Sequence, residues 1–169
     1  TDAASILSQA SDGINPNRWK YTATQIHRQS INDGPLLPTD SLRRFATWNI
    51  EGFTMDKLND LEYYMQTTCT DVLCIQETHT TTSDHYITDN GYLVILSGTA
   101  ADKHAGVGFI VSPHLRKAVH SFDCLNARMA AIKIRITGGK VGFISAYAPQ
   151  SAHSADVRAD FYTQLEAFS

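Results

Sequence analysis

The segment between Arg44 and Glu77 constrains the fold more than any other part of the sequence. "RRFATWNI" is a β-prone run that ends at Asn49, and Gly52 then interrupts it. "TMDKLNDLEYYMQ" predicts an amphipathic helix with Thr54 as its N-cap. The apolar face of that helix comprises Met55, Leu58, Leu61 and Met65. "DVLCIQE" is an uninterrupted apolar run, typical of a buried strand in a parallel sheet. Strand, helix and strand in about 30 residues predict a layered α/β unit.

The remainder of the chain is a series of short β-prone segments followed by a helix. The segments are "GYLVILS", "AGVGFIVSP", "KAVHSFDC", "MAAIKIRIT" and "KVGFISAYAP". "TGGK" between the last two predicts a hairpin turn, and the alternation in "AAIKIRI" predicts one buried and one solvated face. "SADVRADFYTQLEAFS" predicts a helix capped by Ser154, with Val157, Phe161, Leu165 and Phe168 on its apolar face.

Length and composition indicate one globular domain with a preceding arm. The chain has 169 residues, a net charge of −3, and therefore no overall basic field that would attract nucleic acid. Residues 1–43 contain glycines and prolines with poor periodicity, so we interpret them as an N-terminal arm or linker, and residues 44–169 as the domain. A docking role for the arm, with Trp19 and Tyr21 as anchors, is the alternative.

The cysteines and the absence of long apolar runs bear on location. Cys69, Cys74 and Cys124 are odd in number and match no zinc pattern, which favours an intracellular, reducing compartment. Nucleus and organelle are not distinguished by this. No stretch approaches the roughly 18 apolar residues of a membrane span, and no secretory signal is visible.

Polar side chains follow three of the predicted strands. Asn49 follows "ATW", Glu77 follows "LCIQ" and Tyr147 follows "FISA". The carboxyl ends of strands in layered α/β folds meet at one rim, where ligands bind. A carboxylate there suits Mg²⁺, and an amide and a phenol suit a phosphate, so the set fits metal-assisted phosphodiester hydrolysis. Any strand can end in such residues, and a purely structural interpretation therefore stays open.

The order of the motifs adds a family resemblance. "ATWNIEG", "DVLCIQETH", "GVGFIV", "NARMAAIKI" and "FISAYAPQ" resemble successive motifs of the endonuclease/exonuclease/phosphatase family, and within it the apurinic-endonuclease-like domain of RTE-type non-LTR retrotransposons. The resemblance runs from Arg44 to about Ser169. It implies an α/β fold that is part of a four-layer, DNase I-like sandwich and an activity that cuts phosphodiesters.

The resemblance also implies roles for four residues. Glu77 would hold Mg²⁺ or Mn²⁺, and Asn49 would belong to the same metal and phosphate site. Tyr147 would orient the scissile phosphate or the attacking group. Arg128, in "NARM", would contact the phosphate backbone, to which its fork of donors is suited.

The family carries two further motifs, Gly-Asp-x-Asn and, near its C-terminus, Ser-Asp-His. Neither follows Tyr147 in this sequence, so we expect the domain to be truncated before its second half. The missing half would contribute most of the second sheet. We therefore expect the first sheet to expose an apolar face and an open edge, and a protein partner to cover them.

Two functions follow from these expectations. The first is an endonuclease-like domain that acts on DNA when completed, is inactive as this chain alone, and binds Mg²⁺, Mn²⁺ or no metal in this form. The second is a non-catalytic structural subunit of a larger assembly, built from a truncated nuclease fold. Whether the chain is itself an enzyme is left open.

Overall fold

The structure is a computed structural model that describes residues 27–30, 36, 38 and 44–168, with the first of these segments described as backbone only. The proposed anchors Trp19 and Tyr21 lie outside the described residues. The strands, in chain order, are β1 (His27–Ser30), β2 (Phe45–Asn49), β3 (Val72–Gln76), β4 (Asp84–Ile87), β5 (Leu93–Ser97), β6 (Val107–Val111), β7 (Val119–Asn126), β8 (Met129–Ile136) and β9 (Gly139–Ala146). The helices are α1 (Met55–Thr68) and α2 (Ala155–Phe168).

The strands form two sheets. The five-stranded sheet has the order β2-β3-β6-β5-β4, in which β2 and β3 are parallel and the other pairs are antiparallel. The four-stranded sheet has the order β1-β7-β8-β9 and is antiparallel throughout. The "TGGK" turn joins β8 to β9 as predicted, with Gly138 at a φ of +89°, where a side chain would be strained.

The predicted strand–helix–strand unit is confirmed in β2, α1 and β3. The Thr54 side chain accepts a hydrogen bond from the Lys57 amide at 3.2 Å, which caps α1 as expected. The helix ends at Cys69, whose backbone is left-handed. One position on the predicted apolar face is wrong: Met55, the first residue of α1, is exposed, while Leu58, Leu61 and Met65 are buried.

Apolar side chains pack on both faces of each sheet and give four layers. Between the sheets lie Val72, Ile95, Val107, Phe109 and Val111 from one side and Phe122, Cys124, Ala130, Ile132 and Ile134 from the other. The outer face of the five-stranded sheet packs on α1 through Leu58, Leu61, Met65, Leu73, Ile75 and Ile110. The outer face of the four-stranded sheet packs on α2 through Leu125, Met129 and Phe161. Because apolar side chains pack against both faces of β3, its sequence does not alternate between apolar and polar residues.

The second sheet corrects an expectation from the sequence. The chain builds four strands of that sheet itself, and they cover the inner face of the five-stranded sheet. The expected apolar face is therefore absent from the part of the chain that the structure describes. Within that part β2 and β9 each pair on one side only, and Phe45 of β2 packs on Phe143 of β9 at 4.7 Å between ring centroids. The two open edges thus lie on the same side of the sandwich.

Two of the strands, β4 and β1, differ from what the sequence predicted. β4 was not predicted, because "DHYI" is short and polar at its beginning. His27–Ser30, within the predicted arm, pairs with β7 as β1. Among the described residues, neither helix has the length and apolar character that crossing a bilayer requires.

The two sheets should depend on the side chains between them. Phe109→Ala removes a side chain that has no exposed surface, and we expect it to lower the free energy of unfolding by about 3–5 kcal/mol. Urea denaturation followed by circular dichroism measures the loss. Tyr63→Ala, at a side chain that is 69% exposed, is the control and should change stability by no more than about 0.5 kcal/mol. Equal effects of the two substitutions would contradict the assigned core.

Candidate active site at the strand ends

Three side chains predicted from the sequence meet at one end of the sandwich. The parallel register pairs Asn49 with Gln76, so Glu77 follows directly beside Asn49. The Asn49 Nδ2 donates a hydrogen bond to Glu77 Oε1 at 2.7 Å. Tyr147 follows the end of β9 in the other sheet, and its hydroxyl is near enough to the same carboxylate to lower the pKa of Glu77. Both sheets therefore contribute to a single cluster, which we call the Glu77 cluster: Asn49, Glu77 and Tyr147.

The backbone around the cluster adopts a conformation that side chains rarely accept. Glu51, Glu77 and His79 have φ values of +48°, +53° and +57°, and Gly52 has +98°. The two loops are joined by a hydrogen bond of 2.7 Å from the Gly52 amide to the Glu77 carbonyl. Left-handed backbone of this kind costs free energy and is often found at functional sites. Its concentration at this rim supports a functional interpretation.

Lys57 fixes the loop that follows Asn49. Its Nζ donates to the carbonyls of Ile50 at 2.5 Å and Glu51 at 2.7 Å. The Glu51 amide in turn donates to Asn49 Oδ1 at 3.3 Å. The ammonium group thus satisfies carbonyls in the strained turn and holds the amide of Asn49 in place.

The Glu77 carboxyl group is held in its ionised form. Hydrogen bonding with Tyr147 and then Asn49 lowers its pKa. Burial opposes this by a smaller amount, and the charge of nearby His79 has the smallest effect, also lowering the pKa. Burial, followed by the hydrogen bond to Glu77, raises the pKa of Tyr147. The rim therefore presents a carboxylate anion beside a protonated phenol, the two states needed to hold a cation and to donate to an oxygen.

Arg128 lies behind Tyr147 rather than at the open rim. It is buried, and its Nε and Nη2 bind Asp102 Oδ2 at 3.1 and 2.8 Å. Its Nη1 donates to the Tyr147 carbonyl at 3.4 Å, and its guanidinium carbon lies 5.1 Å from the centroid of the Tyr147 ring. In this structure Arg128 contacts Tyr147 directly, and its contact with a phosphate stays a prediction.

The sequence interpretation missed residues at the same rim. Glu51 is an exposed acid, and its backbone amide donates a hydrogen bond to the Asn49 side chain. His79 lowers the pKa of Glu77 through its charge, and its ring lies 6.1 Å from that of His104. The signal for His79 was its position two residues after Glu77. No sequence signal marked His104, because the contact depends on how the 98–106 loop packs.

A Ser-Asp-His tripeptide does occur in this sequence, before Tyr147, and it corresponds to no family motif. Ser83 precedes β4 and Asp84 and His85 begin it, and this strand lies three strands from β3 in the five-stranded sheet. At about 4.8 Å per strand this is roughly 14 Å from the strand that carries Glu77. The His85 ring packs on Phe122 at 5.0 Å between ring centroids. This tripeptide therefore does not join the Glu77 cluster.

The residues present suit a weakly held, water-rich cation. Among the described residues, no group of three or more His, Cys, Asp and Glu side chains is placed to hold a metal ion. Mg²⁺ usually keeps several of its waters and takes only one or two protein carboxylates. The ionised Glu77 with the amide oxygen of Asn49 fits that minimum, and it fits no metal that requires a closed protein cage.

Comparison with solved structures agrees with this architecture. The chain is similar to the crystal structure of the catalytic domain of Xenopus laevis APE2, with a TM-score of 0.52 and 14% sequence identity. The match covers 72% of this chain and 51% of that chain, so the chain spans about half the length of that relative. The chain has a DNase I-like α/β fold. No protein-family model matches the sequence, and no curated protein matches it.

The predicted fold class is therefore confirmed. Two sheets flanked by two helices form the four layers that the sequence resemblance implied, and the structural match is to a domain of this fold. At 14% identity the match concerns the fold alone.

Tyr147→Phe should raise the pKa of Glu77 toward its ordinary value of roughly 4.3, because the Tyr147 hydroxyl contributes most to lowering it. A lowered folded-state pKa stabilises the protein above the ordinary value, and this stabilisation is lost as pH falls through the folded pKa. The wild type should accordingly gain stability over the variant near neutral pH, and the two should converge in acid.

NMR titration of the Glu77 carboxyl carbon measures this shift. Tyr162→Phe, at a tyrosine that is 60% exposed on α2, is the matched control and should leave the pKa of Glu77 unchanged. An unchanged pKa in Tyr147→Phe would show that the two side chains are not bonded in solution.

Proposed function

We propose that this chain carries part of the active site of a metal-dependent endonuclease that cuts DNA. The observation that supports the proposal most is the Glu77 cluster, in which an ionised carboxylate, an amide and a protonated phenol from two sheets meet at the strand ends. The DNase I-like fold places these groups on the rim where α/β proteins bind ligands. The left-handed backbone around them is further support.

Each residue of the cluster has a role that its surroundings favour. Glu77 and the amide oxygen of Asn49 would hold Mg²⁺ or Mn²⁺, which when bound offsets the charge of the phosphate. The protonated Tyr147 hydroxyl would donate to a phosphate oxygen. Arg128 would keep the Tyr147 ring in place and place positive charge behind the phosphate. This arrangement stabilises charge and does not by itself activate water.

The remainder of the site would come from further polypeptide. Neither a Gly-Asp-x-Asn nor a Ser-Asp-His motif follows Tyr147, so activation of the nucleophile needs residues from outside this sequence. The open edges of β2 and β9 are the place where additional strands would pair. The motif set resembles RTE-type retrotransposon endonucleases, and we infer that the completed site nicks DNA.

A structural role is the second candidate, and the edge of β2 favours it. Phe45 and Trp48 on this strand are 45% and 48% exposed, which is unusual for large apolar residues on an unpaired strand. A protein partner that adds strands to β2 and β9 would cover both. In this candidate the chain is a non-catalytic subunit, and the Glu77 cluster is retained without use.

Nicking of supercoiled plasmid in Mg²⁺ or Mn²⁺ tests the first candidate. In a longer polypeptide that completes the site, we expect metal-dependent nicking that falls roughly a hundredfold or more in Glu77→Ala, because removing a metal ligand costs several kcal/mol of charge stabilisation. This chain alone should not nick. Asp89→Asn, at an exposed acid in the turn after β4, is the control and should nick as the wild type does.

Two other outcomes of the nicking assay would count against the first candidate. Nicking that persists in Glu77→Ala would locate the activity elsewhere and contradict the proposed site. Folded, completed wild-type protein that nicks no better than its Glu77→Ala variant would favour the structural-subunit candidate.

A further inference from the structure

A chain of polar side chains joins the two sheets next to the Glu77 cluster. Gln76 Nε2 donates to Ser145 Oγ at 3.1 Å, and Ser145 Oγ donates to the Ile75 carbonyl at 3.0 Å. Thr47 Oγ1 donates to Gln76 Oε1 at 3.1 Å. These bonds, which we call the cross-sheet link, join β2 and β3 of one sheet to β9 of the other.

The link stands next to both halves of the cluster. Gln76 immediately precedes Glu77, and Ser145 lies two residues before Tyr147. Because side chains alternate along a strand, Ser145 and Tyr147 point to the same side of β9. Any relative movement of Gln76 and Ser145 therefore changes the separation of Glu77 and Tyr147.

The apolar contacts between the sheets fix the distance between Glu77 and Tyr147 less tightly than the hydrogen bonds of the cross-sheet link do. Burial of apolar area is non-directional, so the sheets can slide a little with small loss. A hydrogen bond weakens steeply with distance and angle, and both polar atoms of a buried pair are costly to leave unpaired. Ser145 is 1% exposed and its hydroxyl both donates and accepts, so this position has little freedom to move.

We propose that Gln76 and Ser145 are positioning residues that set the distance between Glu77 and Tyr147. The cross-sheet link fixes the two sheets relative to each other at the rim, and the approach of Tyr147 to Glu77 depends on it. The consequence for catalysis rests on the proposed function, since a displacement of about 1 Å at a reacting group can cost about a hundredfold in rate. The geometric part is independent of any activity.

Ser145→Ala in the full chain tests this inference. The substitution removes only the hydroxyl, and Ser145 is far from Glu77 in sequence, so any change at Glu77 is transmitted through the fold. We expect the carboxyl carbon signal of Glu77 at pH 7 to move toward its position in Tyr147→Phe, because the two side chains move apart. The ring signals of Tyr147 should likewise move toward their positions in Glu77→Gln.

Ser97→Ala is the matched control. Ser97 is also 1% exposed, and its hydroxyl also bonds across the sandwich, to the Asn126 carbonyl at 2.7 Å. It lies two strands from Gln76 in the same sheet. Ser97→Ala should lower stability about as much as Ser145→Ala and leave the Glu77 and Tyr147 signals unchanged.

Two further variants keep the test decisive. Ser145→Thr retains the hydroxyl and should restore the wild-type signals. Thr47→Val, at an exposed position, removes one bond of the link with little effect on folding and should shift the Glu77 signal in the same direction by a smaller amount. Wild-type signals in both Ser145→Ala and Thr47→Val, or equal shifts in Ser97→Ala, would overturn the inference.

The affinity for Mn²⁺ provides a second readout. Residues that orient metal ligands typically change metal affinity 10- to 100-fold when removed, and we expect a loss of about that size in Ser145→Ala. If the wild type binds no Mn²⁺, the proposed function fails while the NMR comparison still decides the role of the link. If Mn²⁺ binds equally to wild type and Ser145→Ala, the link does not position the cation site.

Discussion

The parallel pairing of β2 with β3 is the constraint on which the rest of the site depends. Its register places Asn49 opposite Gln76, so that Glu77 emerges beside the Asn49 amide. A slip by one residue would turn each side chain of β2 to the opposite face and remove Asn49 from Glu77. The crossover through α1, which is capped at Thr54 and packed on the outer face, makes this parallel register possible.

The second sheet converts that pair of strand ends into a site. β9 runs across the inner face so that Tyr147 reaches Glu77, and Arg128 of the turn between β7 and β8 packs on the Tyr147 ring. The Asp102–Arg128 ion pair ties the 98–106 loop to the same point. The charge state of Glu77 is thus a consequence of how two sheets meet, and no single strand could produce it.

The sequence was informative where the pattern is local and less so where contacts are distant. The helix α1, the "TGGK" hairpin and the buried strand at Val72–Gln76 follow from capping, turn chemistry and apolar runs. Polar residues after strands identified the Glu77 cluster, because strand ends converge in this architecture. The short strand β4, the burial of Arg128 and the proximity of His79 to His104 depend on packing between distant segments. Local patterns carry no record of such packing, which is also why the self-contained second sheet was not foreseen.

The most direct test of the account is to map Mn²⁺-induced relaxation of the amide signals by NMR. We predict that substoichiometric Mn²⁺ broadens the amides near Asn49, Glu77 and Tyr147 and leaves those of Thr70 and Ser112, at the opposite end of the sandwich, sharp. Glu77→Gln should abolish the selective broadening. Broadening centred anywhere else, or unchanged in Glu77→Gln, would contradict the claim that the strand ends form one cation site.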